Sequence, residues 1–218
     1  MIATDIDFAA ARKHMVDSQV RPNKVTNPRL IAALRSVERE RFLPADRSAL
    51  AYADEDVPLG GGRVLMEPMV LARLLQAAAP MPGEKALVIG AGTGYGAAVL
   101  AACGLTVFAV EEDAALLAIG RAAVPAEVSL VSGPIEAGWA GRAPYDLILV
   151  EGAVDAFPAA FGAQLVPLTG RLVGVRRTGT TSQAVIGESV GGQLSVLPLF
   201  ECATPLFPTF RRAPGFVF

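Results

Sequence analysis

Between residues 86 and 177, short apolar runs alternate with segments in which apolar positions recur every three or four residues. The runs predict strands at 86–90, 105–111, 127–132, 145–151 and 171–176, and the segments between them predict helices from about 95, over 113–121 and near 156–165. Runs that are apolar throughout, rather than at every second position, belong to strands buried on both faces. In strand–helix order they specify a parallel sheet covered by helices.

The flanks read differently. Residues 1–80 are expected to be mainly helical. Asn27-Pro28 supplies a cap and a first-turn proline, and Leu30, Ile31, Leu34 and Val37 follow at helical spacing. A break is expected at Pro58-Leu59-Gly60-Gly61-Gly62. A second helix then starts near Pro68, carries Val70, Leu71, Leu74, Leu75 and Ala78 on one face, and ends at Pro80 and Pro82. Beyond Ser182, Gln183–Val190 and Gln193–Glu201 read as two strands joined across Gly191-Gly192, a hairpin signal. The expected organisation is a helical extension over 1–80, packed on a doubly wound, mostly parallel α/β domain over 81–218 that ends in an antiparallel hairpin.

Composition narrows the function. The chain has 218 residues, 52% of them hydrophobic, which is enough for one main domain with a sizeable core. A net charge of −2 without a long basic run argues against an electrostatic grip on nucleic acid or on an anionic membrane. The only histidine is His14, and Cys103 and Cys202 lack ligand spacing, so no metal site is expected. The N-terminus has no basic start followed by an apolar run, so no signal peptide is read, and a reducing cytoplasm is expected. The uncharged stretch 86–110 is long enough to span a bilayer, but its five glycines favour strand, loop, helix and strand.

Candidate chemistry starts at Leu87-Val88-Ile89-Gly90-Ala91-Gly92-Thr93-Gly94-Tyr95, where an apolar strand runs into a loop with glycine at every second position. Glycine lets a ligand approach the main chain, and the following helix N-terminus offers free N–H groups. Gly90, Ala91, Gly92, Thr93, Gly94 and Tyr95 are therefore candidate cofactor-binding residues, and an adenosine-bearing ligand is expected. Glu111, about 20 residues past the loop at the end of the next strand, is the candidate for the ribose hydroxyls, with Glu112 a second. The alternative is that Glu111, Glu112 and Asp113 only cap the following helix. A frame shift gives Gly92-Thr93-Gly94-Tyr95-Gly96-Ala97, a weak dinucleotide pattern that keeps an NAD-dependent oxidoreductase as a rival.

At these residues the chain resembles the protein-L-isoaspartate O-methyltransferases, within the class I S-adenosylmethionine-dependent methyltransferases. The resemblance extends to Val37–Pro44, to Tyr52-Ala53-Asp54-Glu55-Asp56, to Pro58–Gly62 and to the helix opened by Pro68. It continues through Ala143–Ala153 and Gln164–Val173. It implies a Rossmann-like methyltransferase fold, S-adenosyl-L-methionine as cofactor with S-adenosyl-L-homocysteine as product, and a protein or peptide partner bearing an isoaspartyl carboxylate. It implies no general base, because the acceptor carboxylate is already ionised at neutral pH. The loop Gly60–Pro68 would cover the substrate, making Gly61, Gly62, Val64, Met66 and Pro68 candidate substrate-binding residues.

The chain departs from the family pattern at named positions. Met66 occupies the family's serine position, so the catalytic role is unassigned, and Glu67 stands beside it. Val88 replaces an acid two residues before the first glycine. Val131-Ser132-Gly133-Pro134-Ile135-Glu136 replaces a G-D-G motif, leaving Glu136 as the nearest acid. These departures frame the alternative function, a catalytically impaired relative acting as a cofactor-binding or interaction module. Elsewhere His14 reads as a surface residue, Cys103 as core and Trp139 as packing. Arg171, Arg176 and Arg177 read as a solvated strand end, and Phe200, Phe207, Phe210, Phe216 and Phe218 as packing.

Overall fold

The polar punctuation of the N-terminal third sets its helices. The computed structural model describes residues 6–191 and 193–210. Helix α1 (Phe8–Met15) is capped by the Asp7 side chain, which accepts from the Ala10 N–H, and α2 (Pro28–Ser36) by Asn27, which accepts from the Arg29 and Leu30 N–H groups. His14 is exposed on α1. Short 3-10 turns fill 39–50.

The break expected at 58–62 is instead a small antiparallel hairpin, β1 (Val57–Gly60) and β2 (Arg63–Leu65), with Val57 opposite Leu65. Strands of four and three residues are too short to print a readable alternation, and the glycines dominate the local signal. Gly60, Gly61 and Gly62 all take positive φ (103°, 57° and 77°), which turns the chain at little steric cost. Helix α3 (Pro68–Ala78) follows as expected and ends on Ala79 in the left-handed conformation.

The apolar runs pair as parallel neighbours. They form β3 (Lys85–Ile89), β4 (Thr106–Glu111), β5 (Ser129–Ser132), β6 (Leu147–Val154) and β7 (Arg171–Thr178), crossed by α4 (Tyr95–Ala102), α5 (Ala114–Ala123) and α6 (Ala159–Ala163). The antiparallel strands β8 (Thr181–Val190) and β9 (Gln193–Cys202) complete a seven-stranded sheet in the order β5-β4-β3-β6-β7-β8-β9. Gly192, half of the turn signal, lies outside the described residues. The uncharged stretch 86–110 is thus β3, α4 and β4, and no helix among the described residues is long and apolar enough to cross a membrane. Helix α6 is only five residues long, shorter than the segment expected, because Pro158 fixes its start as the cap.

Two cores sandwich the sheet. One face packs the N-terminal elements with α3 and α4, joining Met15, Leu30, Leu34, Leu71 and Leu74 to Val88, Ala97 and Val107. The other joins Leu87, Ile89, Ile148, Phe161 and Leu172. The extension and the sheet therefore share one continuous core. Helix α4, lying between them, is buried from Tyr95 to Leu100. Truncating one of these side chains to alanine costs about 2–5 kcal/mol. Cys103 belongs to this core, and burial pushes its thiol up to about 11.

Arg171 corrects the expectation of a solvated strand end. Its guanidinium donates to the Ala78 and Ala79 carbonyls at the end of α3 and forms an ion pair with Glu84 at 2.8 Å. It ties a helix C-terminus, where a cation complements the dipole, to the first sheet strand.

Candidate functional site

The order of the sheet reverses beside β3: the chain runs outward through β4 and β5, then returns to β6 on the other side. In such sheets a crevice opens beyond the carboxyl ends of the strands at this switch point. The glycine loop lies there. Gly90, Gly92 and Gly94 have φ of 64°, 57° and 89°, all in the region that side chains disfavour. The Gly94 N–H donates to the Ala91 carbonyl at 2.7 Å, closing the turn into α4, and the Ala91 N–H donates to Val110 of β4.

The larger side chains of the loop turn away from the crevice. Thr93 is buried and its hydroxyl donates to the Phe42 carbonyl at 2.6 Å. Tyr95 is fully buried, edge-on to Phe42, with the Arg39 guanidinium 4.8 Å from its ring centroid. These two residues anchor the loop to the N-terminal extension, so the ligand-facing surface is left to the glycine backbone.

Glu111 ends β4 facing this loop and is fully buried. Its carboxylate accepts from the Gly92 N–H at 2.7 Å and from the Glu112 and Asp113 N–H groups at 2.9 Å. Asp113, rather than Glu111 or Glu112, caps α5. Arg63 of β2, which sequence reasoning missed, donates to both oxygens of Glu111 at 2.8 and 2.9 Å and to the Gly90 carbonyl at 2.8 Å. No local signal marks it, because the three-residue strand that carries it is too short to show that it is buried, and a buried cation then requires a buried anion.

A second residue enters from the far end of the chain. Beyond β9, the Ala153 N–H donates to the Pro205 carbonyl and the Phe207 N–H donates to the Ala153 carbonyl, laying this segment beside the end of β6. The Phe207 ring then lies against two glycines: a Cβ on Gly90 or on Gly152 would stand 2.4 or 2.5 Å from it. The Arg63 guanidinium covers the ring at 4.5 Å. Pro208 touches Gly62, and Thr209 donates to Glu112, an exposed residue on the outer rim. Phe210 packs on Phe207 and Phe161, whereas Phe216 and Phe218 lie outside the described residues.

The remaining candidates are dispersed. Gly61 and Gly62 are exposed at the hairpin turn, Val64 is half-buried, and Pro68 is buried at the first turn of α3. Met66 is 2% exposed within the apolar core, and its carbonyl accepts from Arg39 at 2.7 Å. Glu67 is half-buried, and burial together with Asp54 and Asp56 raises its carboxyl. Glu136 is exposed, and Trp139 packs edge-on against Phe108. Glu151, within β6, is buried beside the first turn of α4.

The donors here suit a nucleoside with a short charged tail: an open glycine backbone, a strand-end carboxylate and a helix N-terminus. Arg63 and Phe207 stand in the same space, so such a ligand would have to displace them. A glycine loop after the first parallel strand, an acid ending the second and a seven-stranded sheet closed by an antiparallel hairpin define the class I S-adenosylmethionine-dependent methyltransferases.

Within that class the family follows from similarity. The model of the protein-L-isoaspartate(D-aspartate) O-methyltransferase family matches residues 10–187, and the chain belongs to this family. A protein-L-isoaspartate O-methyltransferase of Methylorubrum extorquens is 42% identical over 170 residues, which cover 77% of this chain and 74% of that protein. One from Koribacter versatilis is 38% identical over 170 residues, 76% of each. A solved protein-L-isoaspartate O-methyltransferase has the same fold, with a TM-score of 0.76 at 23% identity over 88% of this chain. The chain spans 64% of the length of that protein.

Proposed function

We propose that the chain methylates the free carboxylate of isoaspartyl residues in proteins or peptides, using S-adenosylmethionine. The observation that carries this reading is the position of Glu111 at the end of β4, facing a loop whose three glycines all take positive φ. When bound, the cofactor supplies a methyl group on a sulfonium that leaves readily.

The residues of the chain hold, align and dry. Gly90, Ala91, Gly92, Thr93, Gly94 and Tyr95 form the loop that receives the cofactor, and Glu111 holds the ribose once Arg63 releases it, with Glu112 at the rim. In this reading the hairpin turn at Gly61 and Gly62, with Val64, borders the acceptor, whereas Met66 and Pro68 are buried and do not reach it. Because an ionised carboxylate needs no base, the work of the protein is in-line positioning and exclusion of water. In this reading the partners are proteins rather than nucleic acid or membranes, and the free thiols Cys103 and Cys202 suit a reducing cytoplasm.

The test is transfer of labelled methyl to an isoaspartyl peptide beside its aspartyl isomer, with a titration of S-adenosylhomocysteine beside NAD. Base-labile label on the isoaspartyl peptide alone, and binding of S-adenosylhomocysteine alone, are expected. Equal labelling of both peptides, or binding of NAD only, would overturn the reading.

A further inference from the structure

Glu151 is an acid with an unmet need. It lies within the buried run of β6, and one carboxylate oxygen, Oε2, is buried without any hydrogen-bond partner. The other oxygen fills the space left by Gly96, where a Cβ would stand 2.5 Å from it, so the carboxylate lies against the first turn of α4, beside the glycine loop. The parallel register places Ile89 opposite Val150, which sets Glu151 level with Gly90.

Neither nearby arginine donates to that oxygen, although Arg39 keeps one buried nitrogen, Nη1, without a partner. Arg63 is engaged by both oxygens of Glu111 and by the Gly90 carbonyl. Arg39 donates to the Ala51 and Met66 carbonyls. The groups facing Glu151 are Arg63, Arg39, Glu111, Tyr95 and the Gly96 N–H. Two bulky cations held at a distance and one like charge leave its free oxygen without the direct donor that a buried carboxylate requires. On β3, Val88 is apolar and fully buried, so that strand brings no acid of its own to the loop.

We propose that Glu151 is the receptor for the α-ammonium group of the cofactor's amino-acid tail, a positioning residue that fixes the tail against the glycine loop. The proposal rests on the cofactor reading above. The ammonium is the only N–H cation the cofactor carries, and a loop with three positive-φ glycines lets that tail come within reach of the part of β6 level with Gly90. Burial pushes the Glu151 carboxyl up to about 8. A bound ammonium favours the ionised form, so binding near neutral pH releases a proton.

The experiment compares wild type with Glu151→Gln and Glu151→Asp by calorimetry, using S-adenosylhomocysteine and 5′-methylthioadenosine, which lacks the amino-acid tail. Runs in phosphate and Tris, buffers of different ionisation enthalpy, count released protons. Glu151→Gln should bind S-adenosylhomocysteine roughly ten- to a hundredfold more weakly, the scale of a lost hydrogen bond to a charged group. It should also lose the proton release, keep its affinity for methylthioadenosine and be partly rescued by Glu151→Asp. Equal affinity of wild type and Glu151→Gln for S-adenosylhomocysteine, or parallel losses for both ligands, would overturn the assignment while the cofactor reading stands. Failure of the wild type to bind either ligand would overturn both.

Discussion

Arg63 and Glu111, 48 residues apart, form a bidentate ion pair at 2.8 and 2.9 Å beyond the carboxyl end of β4, with side-chain exposures of 7% and 0%. The pair joins the β1–β2 hairpin to the residue proposed above to hold the ribose. In that reading hairpin position and ligand binding compete for one carboxylate.

Breaking the pair from one side should be costly. Glu111→Gln strands a buried guanidinium and should lower stability by about 3–5 kcal/mol, as buried pairs do when one partner is removed. The double variant Arg63→Gln/Glu111→Gln should recover much of that loss, because no uncompensated charge remains. Urea unfolding of both single variants and the double one gives the coupling; additive losses would show that the two residues act independently.

Phe207 lies where the backbone of Gly90 should be open. Phe207→Ala is expected to lower stability by about 3 kcal/mol, the scale of a buried phenylalanine truncation, and at the same time to tighten S-adenosylhomocysteine binding. Calorimetry on the folded variant decides: weaker binding would identify the ring as a wall of the site rather than its occupant.

Stability should fall as pH rises, through Glu151. Burial raises its folded-state carboxyl from 4.5 to about 8, so the folded state holds the proton more tightly than the unfolded state does. The protonated form is favoured, full stability from this group is present below about 4.5, and it is lost as pH rises towards 8, by several kcal/mol at most. Glu151→Gln should lack this decline and overtake the wild type at pH 8 in urea unfolding. Parallel curves for the two proteins would exclude the effect.

Met66→Ser places the family's residue at its position in the sequence, but the side chain there faces the core. The substitution removes buried apolar volume and leaves a hydroxyl among apolar neighbours, so stability should fall by about 2–4 kcal/mol. Methyl transfer per folded molecule should not rise. A gain in rate would show that the loop turns this side chain towards the acceptor during catalysis.

Local pattern by itself determined the parallel strands, their helices, the C-terminal hairpin and the glycine loop with Glu111 near it. Each is written in contiguous residues: an apolar run, a cap such as Asn27, or a turn forced by glycine. The short β1–β2 hairpin left no period to read. What decides the chemistry of the site was not local. Arg63 reaches Glu111 across 48 residues, Phe207 reaches Gly90 from the far end of the chain, and Arg171 is claimed by Glu84 instead of water. Glu151 acquires its raised carboxyl only because packing against α4 buries it, an effect that outweighs the opposing pull of Arg63 and Arg39. A buried charge or ring takes its partner from whatever the packed chain brings within a few ångströms, and that neighbour is fixed by tertiary structure, not by distance along the sequence.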